Sequence, residues 1–397
     1  MNQPGSSASP CTIRKRQVYY VHGFDGRGPR FYHPLYRDGA AAQDAINGTS
    51  SWVGEMEATG DLAASWNVKA QSADGEVMTR YTFLRWEDMV KAHWLVSRFT
   101  TVRQTMQFYA AYIRSGAMGS LWNCSKRYTG SVLSPLVFGA LALLLSIVLA
   151  TSVALVLGYL APAWGNAGKW VASGLSGWLL LWGALLWSDK LRLLWLARAW
   201  VFVHNWGNRN NPAIESRWKK FALHIAGDAG VEDADEILLI GHSAGSWVVI
   251  SVLAELLALP QSKALWPRLR LMTLGQVVPM MSFCTGAHQF REQVNQVVAS
   301  SVPWLDFTAP SDPLCTALAN PLDGSGVPKA AVSKPAVVVR SARFDKMFDV
   351  GTFKRLAADP FRIHFQYLMA TDLRVTNDYF SITAGPRPLS HWMEVQT

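Results

Sequence analysis

The chain has 397 residues, half of them hydrophobic, which is enough to bury a large core in one long domain. Only 16% of residues are charged and 18 are Trp, a balance that leans toward a membrane protein because indoles favour the headgroup region. The net charge of +9 is scattered, with no basic helix or zinc pattern; this argues against nucleic acid as a partner and fits attraction to anionic lipid.

Residues 1–10 are rich in Ser, Pro and Gly, and a mobile N-terminus is expected over residues 1–16. No apolar core of a signal peptide is present there. Val18 to Val21 has the β-branched and aromatic character of a buried strand, and it runs into His22-Gly23-Phe24 and a glycine-rich loop. Residues 32–43 predict a helix, residues 55–67 fit neither pattern, and residues 81–86 predict a strand. Asp88 then reads as a charge at a helix start.

From Leu133 to Leu160 there is no charged residue, which exceeds the roughly 20 apolar residues needed to cross a bilayer. A turn around Pro162 follows, and residues 170–187 are again uncharged and hold Trp170, Trp178, Trp182 and Trp187. Two spanning helices are the expectation; a helical hairpin buried in a soluble core is the alternative. Arg114, Lys126 and Arg127 precede the first span, and Lys190, Arg192 and Arg198 follow the second, whereas the connecting loop holds only Lys169. The positive-inside rule therefore puts both termini and the remaining chain in the cytoplasm, with a bacterial inner membrane expected. Helices over about residues 90–112 and 191–202 lead into and out of the hairpin. The expected organisation is residues 17–112, a hairpin region over 113–203, and residues 204–397.

The strongest local signal is Glu236 to Ile250. A short apolar run stops at Gly241, then come His242, Ser243, Ala244 and Gly245, and an apolar helical stretch begins at Trp247. Physically this is strand, tight turn and helix with a serine at the apex, where two residues lacking Cβ allow close approach. The chain here resembles the α/β-hydrolase family, in the G-H-S-A-G form common among its lipases and esterases. The resemblance implies an α/β-hydrolase fold, a mostly parallel central sheet flanked by helices and here interrupted by a two-helix transmembrane hairpin. It also implies that Ser243 is the nucleophile, with Gly241, His242 and Gly245 shaping the elbow. The backbone N–H groups of Ala244 and of Phe24, after the early strand, would form the oxyanion hole, with Gly23 in place of Phe24 if the register slips.

Later strands are expected at residues 269–274, 304–307 and 335–340. The first ends in Thr-Leu-Gly, frequent in lipase-like members. By the same resemblance the acid lies on the loop after the second, making Asp312 the expected residue and Asp306 the alternate. The base follows the third, at His364 in a His-x-x-Tyr setting with Tyr367, with His391 as the alternate. The implied chemistry is ester cleavage through an acyl-enzyme, on a lipid or other acyl ester, with no metal and no cofactor. Acyl transfer on the same fold and a silent membrane scaffold are the competing readings. Cys11, Cys124, Cys284 and Cys315 lie far apart, against a dense disulfide framework.

Overall fold

The computed structural model describes residues 12–94, 96–208, 212–327 and 337–394. The stretch expected to be mobile at residues 1–10, together with Cys11 and Pro335, lies outside the described residues. The chain begins with β1 (Lys15–Val21), α1 (Pro29–Asn47), β2 (Ser50–Val53), β3 (Glu57–Thr59), β4 (Ala63–Ser72) and β5 (Gly75–Leu84). Eight helices follow: α2 (Glu87–Trp94), α3 (Arg98–Arg114), α4 (Ala117–Cys124), α5 (Lys126–Leu160), α6 (Asn166–Lys190), α7 (Leu193–Asn208), α8 (Pro212–Ala226) and, after β6 (Glu236–His242), α9 (Gly245–Ala258). The strands β7 (Leu269–Leu274), β8 (Trp304–Thr308) and β9 (Val337–Ser341) alternate with further helices.

Among the described residues the strands form one mixed sheet in the order β2-β4-β5-β1-β6-β7-β8-β9, with β3 beside β4. From β5 to β9 neighbouring strands are parallel, while β2, β3 and β5 run antiparallel to β4. A sheet covered on both faces needs apolar side chains on both, which is why β1 and β6 read as continuous apolar runs. Tyr19, Val21, Leu239 and Trp304 face one core, and Val18, Tyr20, Leu238 and Phe307 face the other.

Three boundaries differ from expectation, each for a physical reason. The ordered chain starts before residue 17: Ile13 is buried, and β1 already includes Lys15 and Arg16. Buried Arg16 donates from Nε to Glu236 Oε2 at 2.8 Å and from its other nitrogens to Gly385 O and Arg387 O, both at 2.7 Å. Residues 55–67 hold β3 and the start of β4, where Ala63, Ala64 and Ser65 carry little intrinsic strand preference and pairing with β5 supplies it. The helix expected over residues 90–112 is two, because Ser97 caps a new one by accepting from Thr100 N–H.

Helices α5 and α6 are long and apolar enough to cross a membrane. Only 11% and 17% of their most apolar stretches are buried, unlike the core helices of a soluble domain. They touch through small residues, with Ser146 Oγ donating to Gly177 O at 2.8 Å. Helix α7 then returns the chain to the sheet alongside α3, and Arg98 and Asp189 pair at 2.6 Å near the hairpin's base.

Candidate active site

The loops after β1, β6 and β8 gather at one end of the sheet, outside the carboxyl ends of its parallel strands. Ser243 follows β6 with φ of 55°, a left-handed conformation that costs a non-glycine residue about 1–2 kcal/mol. The surroundings enforce it. Ser243 N–H donates to Leu274 O at 2.8 Å, while a Cβ on Gly241 would overlap Gly245 O and one on Gly245 would overlap Val21 O. Strand and helix therefore approach as only glycine allows, and Ser243 stays partly open while residues 241, 242, 244 and 245 are buried.

The loop after β1 lies directly against this turn: a Cβ on Gly23 would come within 2.9 Å of Ser243 Cβ. The N–H groups of Phe24 and Ala244 find no acceptor among the described residues, and Ala244 stands at the N-terminus of α9. Two unpaired amides beside a protruding hydroxyl form a site suited to an oxygen that gains negative charge. His22 supports the loop from below, stacked on Phe83 and Trp86 with ring centroids 5.1 and 5.2 Å away. Full burial pushes its pKa down to about 4, and its Nδ1–H donates to Gly23 O at 2.8 Å.

Asp312 and His364 meet: His364 Nδ1 is 2.7 Å from Asp312 Oδ2, and both side chains are buried. Burial alone would raise the Asp312 pKa, but the adjacent His364, the Leu314 N–H and the Cys315 thiol together hold it below the usual carboxylate value. Leu314 N–H donates to Oδ1 at 2.9 Å, and Tyr367 O–H donates to Oδ2 at 3.1 Å while accepting from Ala309 N–H. An ionised Asp312 fixes the proton of His364 on Nδ1 and leaves Nε2 bare, the tautomer a general base needs.

His242 and His364 lie side by side, with centroids 5.0 Å apart, and His242 Nε2–H donates to His364 O at 2.8 Å. Burial first, and the neighbouring His364 second, push the His242 pKa down to about 3, so this donor stays neutral. Ser243 Oγ and His364 Nε2 make no hydrogen bond in this structure. Such contacts are often long without substrate and close when it binds.

The two alternates stand elsewhere. Asp306 sits inside β8, accepts from Thr273 Oγ1 at 2.6 Å and touches no histidine; burial pushes its pKa up to about 8. Its place within the strand, rather than on the loop beyond, keeps it from the base. His391 contacts Arg387 and Trp392, on a helix whose Leu389 N–H donates to Glu236 at the far end of β6. Seven residues of strand separate that end from Ser243, a span of about 20 Å.

Sequence reasoning missed Trp195, the third residue of α7. Its ring lies 6.1 Å from that of Phe24 and 5.2 Å from that of Phe361, on the helix that carries His364. The base of the hairpin thus packs on both the amide loop and the histidine helix. A tryptophan just beyond an apolar span is a recognisable interface signal, but its partners are remote in sequence. The tie from His242 to His364 was equally hidden, crossing 122 positions. Among the described residues no three His, Cys, Asp or Glu side chains cluster as metal ligands. No protein-family model, curated protein or solved structure matches the chain, so its chemistry is read from the geometry of this site alone.

Proposed function

We propose that the chain is a membrane-anchored serine hydrolase of the α/β-hydrolase type, cleaving acyl esters, with lipids as the main substrate class. The observation that carries this reading is the buried Asp312–His364 pair, held at 2.7 Å and packed on His242, the residue before a serine in a left-handed turn. In the reaction Ser243 Oγ attacks the acyl carbon as His364 Nε2 takes its proton. Asp312 holds the resulting imidazolium, and the N–H groups of Ala244 and Phe24 receive the oxyanion. His364 then protonates the leaving alcohol, and a water activated by the same nitrogen releases the acid.

The lipid part rests on where the hairpin meets the site. Trp195 joins the spans to Phe24 and Phe361, so an acyl chain leaving the bilayer reaches the serine without crossing open water. Two apolar helices with exposed sides support anchoring in a membrane. The test is covalent labelling by a fluorophosphonate probe in detergent-solubilised full-length protein. Labelling of the wild type and its loss in Ser243→Ala are expected; an unlabelled wild type, or label retained in the variant, overturns the reading. Turnover of a panel of micellar acyl esters then identifies the substrate.

A further inference from the structure

The helices at the base of the hairpin line a half-open apolar pocket that the proposed chemistry does not use. A cavity of about 170 Å³ lies between α3, α5, α6 and α7, walled by Val102, Met106, Phe138, Leu181 and Ala197 among others. The two hydroxyls in its wall are spent on their own helices: Thr105 Oγ1 donates to Thr101 O and Ser188 Oγ to Leu185 O, each at 2.7 Å. An apolar cavity of roughly 150 Å³ stays dry and takes up a hydrocarbon guest. This pocket has that volume and an apolar lining, and it opens outward between the helices.

Its position says which guest. Phe99, Val102 and Met106 are exposed at 79%, 40% and 45% and recur at i, i+3 and i+7 on one face of α3. The other face, with Thr105, Phe108 and Tyr112, is the one buried against the protein. Val102 and Met106 share the cavity with Leu181, Leu185 and Ser188 on the last turns of α6, so the outward face of α3 stands level with the end of the span. At that same end Arg98 pairs with Asp189, and Arg103 and Lys190 are exposed, a cationic rim at headgroup depth.

We propose that this cavity binds one hydrocarbon chain of a membrane lipid, drawn from the leaflet adjoining the sheet domain. The proposal rests on the reading of α5 and α6 as membrane spans and is independent of the serine chemistry. Leu193, Leu194 and Ala197 of α7 line the cavity, and Trp195 of the same helix packs on Phe24 and Phe361. A bound chain therefore braces the helix whose Trp195 packs on the loop and helix of the site.

The experiment uses the full chain in phosphatidylcholine–phosphatidylglycerol vesicles containing a phosphatidylcholine with a photoactivatable diazirine in one acyl chain. Adducts are mapped by mass spectrometry after digestion. Adducts are expected in residues 104–114 of α3, besides those on the outward faces of α5 and α6. Gly139 lines the pocket, and a Cβ there meets nothing within 4 Å, so Gly139→Trp starts in open space and places an indole at the pocket wall. The α3 adducts should then fall sharply, as expected when the guest's volume is taken by protein, while those on the outward faces stay. Gly139→Leu provides a milder filler if the indole disturbs folding, with the outward-face adducts as the check. Unchanged α3 adducts in correctly inserted filler variants, or none on α3 when the outward faces are labelled, overturn the proposal. No adducts on either span would remove the membrane reading and the cavity's occupant together. Ser243→Ala should keep the α3 adducts, so a chain silent to fluorophosphonate but sensitive at Gly139 would lose the hydrolase reading and keep this one.

Discussion

Asp312→Asn is the sharpest test of the proposed base. Asp312 Oδ1 accepts from Leu314 N–H at 2.9 Å, so the Asn carbonyl keeps that place and its NH2 group takes the place of Oδ2. That NH2 faces His364 Nδ1, now 2.7 Å from an acceptor. A donor there drives the histidine proton to Nε2, and a protonated Nε2 in a neutral ring cannot accept from Ser243. The same change in a serine protease lowers kcat by about 10⁴, equivalent to about 5.4 kcal/mol of barrier at roughly 1.36 kcal/mol per tenfold. The assay is the rate of fluorophosphonate labelling or of p-nitrophenyl ester cleavage near pH 7, with Asp306→Asn as the comparison. Burial pushes the Asp306 pKa up to about 8, so the neutral amide mimics a carboxyl already largely protonated at pH 7. Asp306→Asn should thus keep most of the activity. Asp312→Asn within about tenfold of the wild type, or an equal loss in both variants, would refute the reasoning.

Other consequences are measurable. His22 and His242 are held neutral, with pKa values near 4 and 3 against 6.5 for a free histidine. The unfolded chain binds protons on both below pH 6.5 while the folded one does not, so stability is complete above that value and falls as pH drops toward 4. The His22 share is on the order of 3 kcal/mol, and a denaturation midpoint flat between pH 7 and 4.5 would contradict it. Ser243→Gly should be more stable than Ser243→Ala by about 1 kcal/mol, since glycine relieves the left-handed turn and alanine does not; thermal unfolding of the two inactive variants decides. Arg16→Ala leaves buried Glu236 with only the Leu389 N–H and a distant Arg270, 3.9 Å away, and should cost about 3 kcal/mol in chemical denaturation, and a loss below about 1 kcal/mol would show the pair to be incidental.

The parts of this architecture that could be read from the chain are those where a residue's neighbours in sequence are its neighbours in space. The Ile237–Gly241 run, the Ser243 turn and α9 are one continuous stretch, and their geometry follows from apolar spacing and two glycines. The hairpin is similarly local, being two runs free of charge. Asp312 and His364 could be ranked above Asp306 and His391 only through family likeness; what separates them physically is that Asp306 lies within β8 instead of on the loop beyond it, and that His391 lies at the opposite end of β6. The antiparallel edge was illegible because Ala63 and Ala64 become strand through β5 opposite them. The bonds from Arg16 to Gly385 and Arg387 join segments that carry no mark of each other.

The middle position of β1 has a consequence for how the protein is made. Its two neighbours are β5, synthesised before the hairpin, and β6, synthesised after it, and the bond from Arg16 to Glu236 closes over 220 positions. With α5 and α6 crossing a bilayer, a nascent chain that threads only the first would leave the serine on the far side from the glycine loop it must meet. If the proposed hydrolase reading holds, the site is assembled only once both segments are seated, so a chain caught before that point has no complete site to turn on the lipids around it.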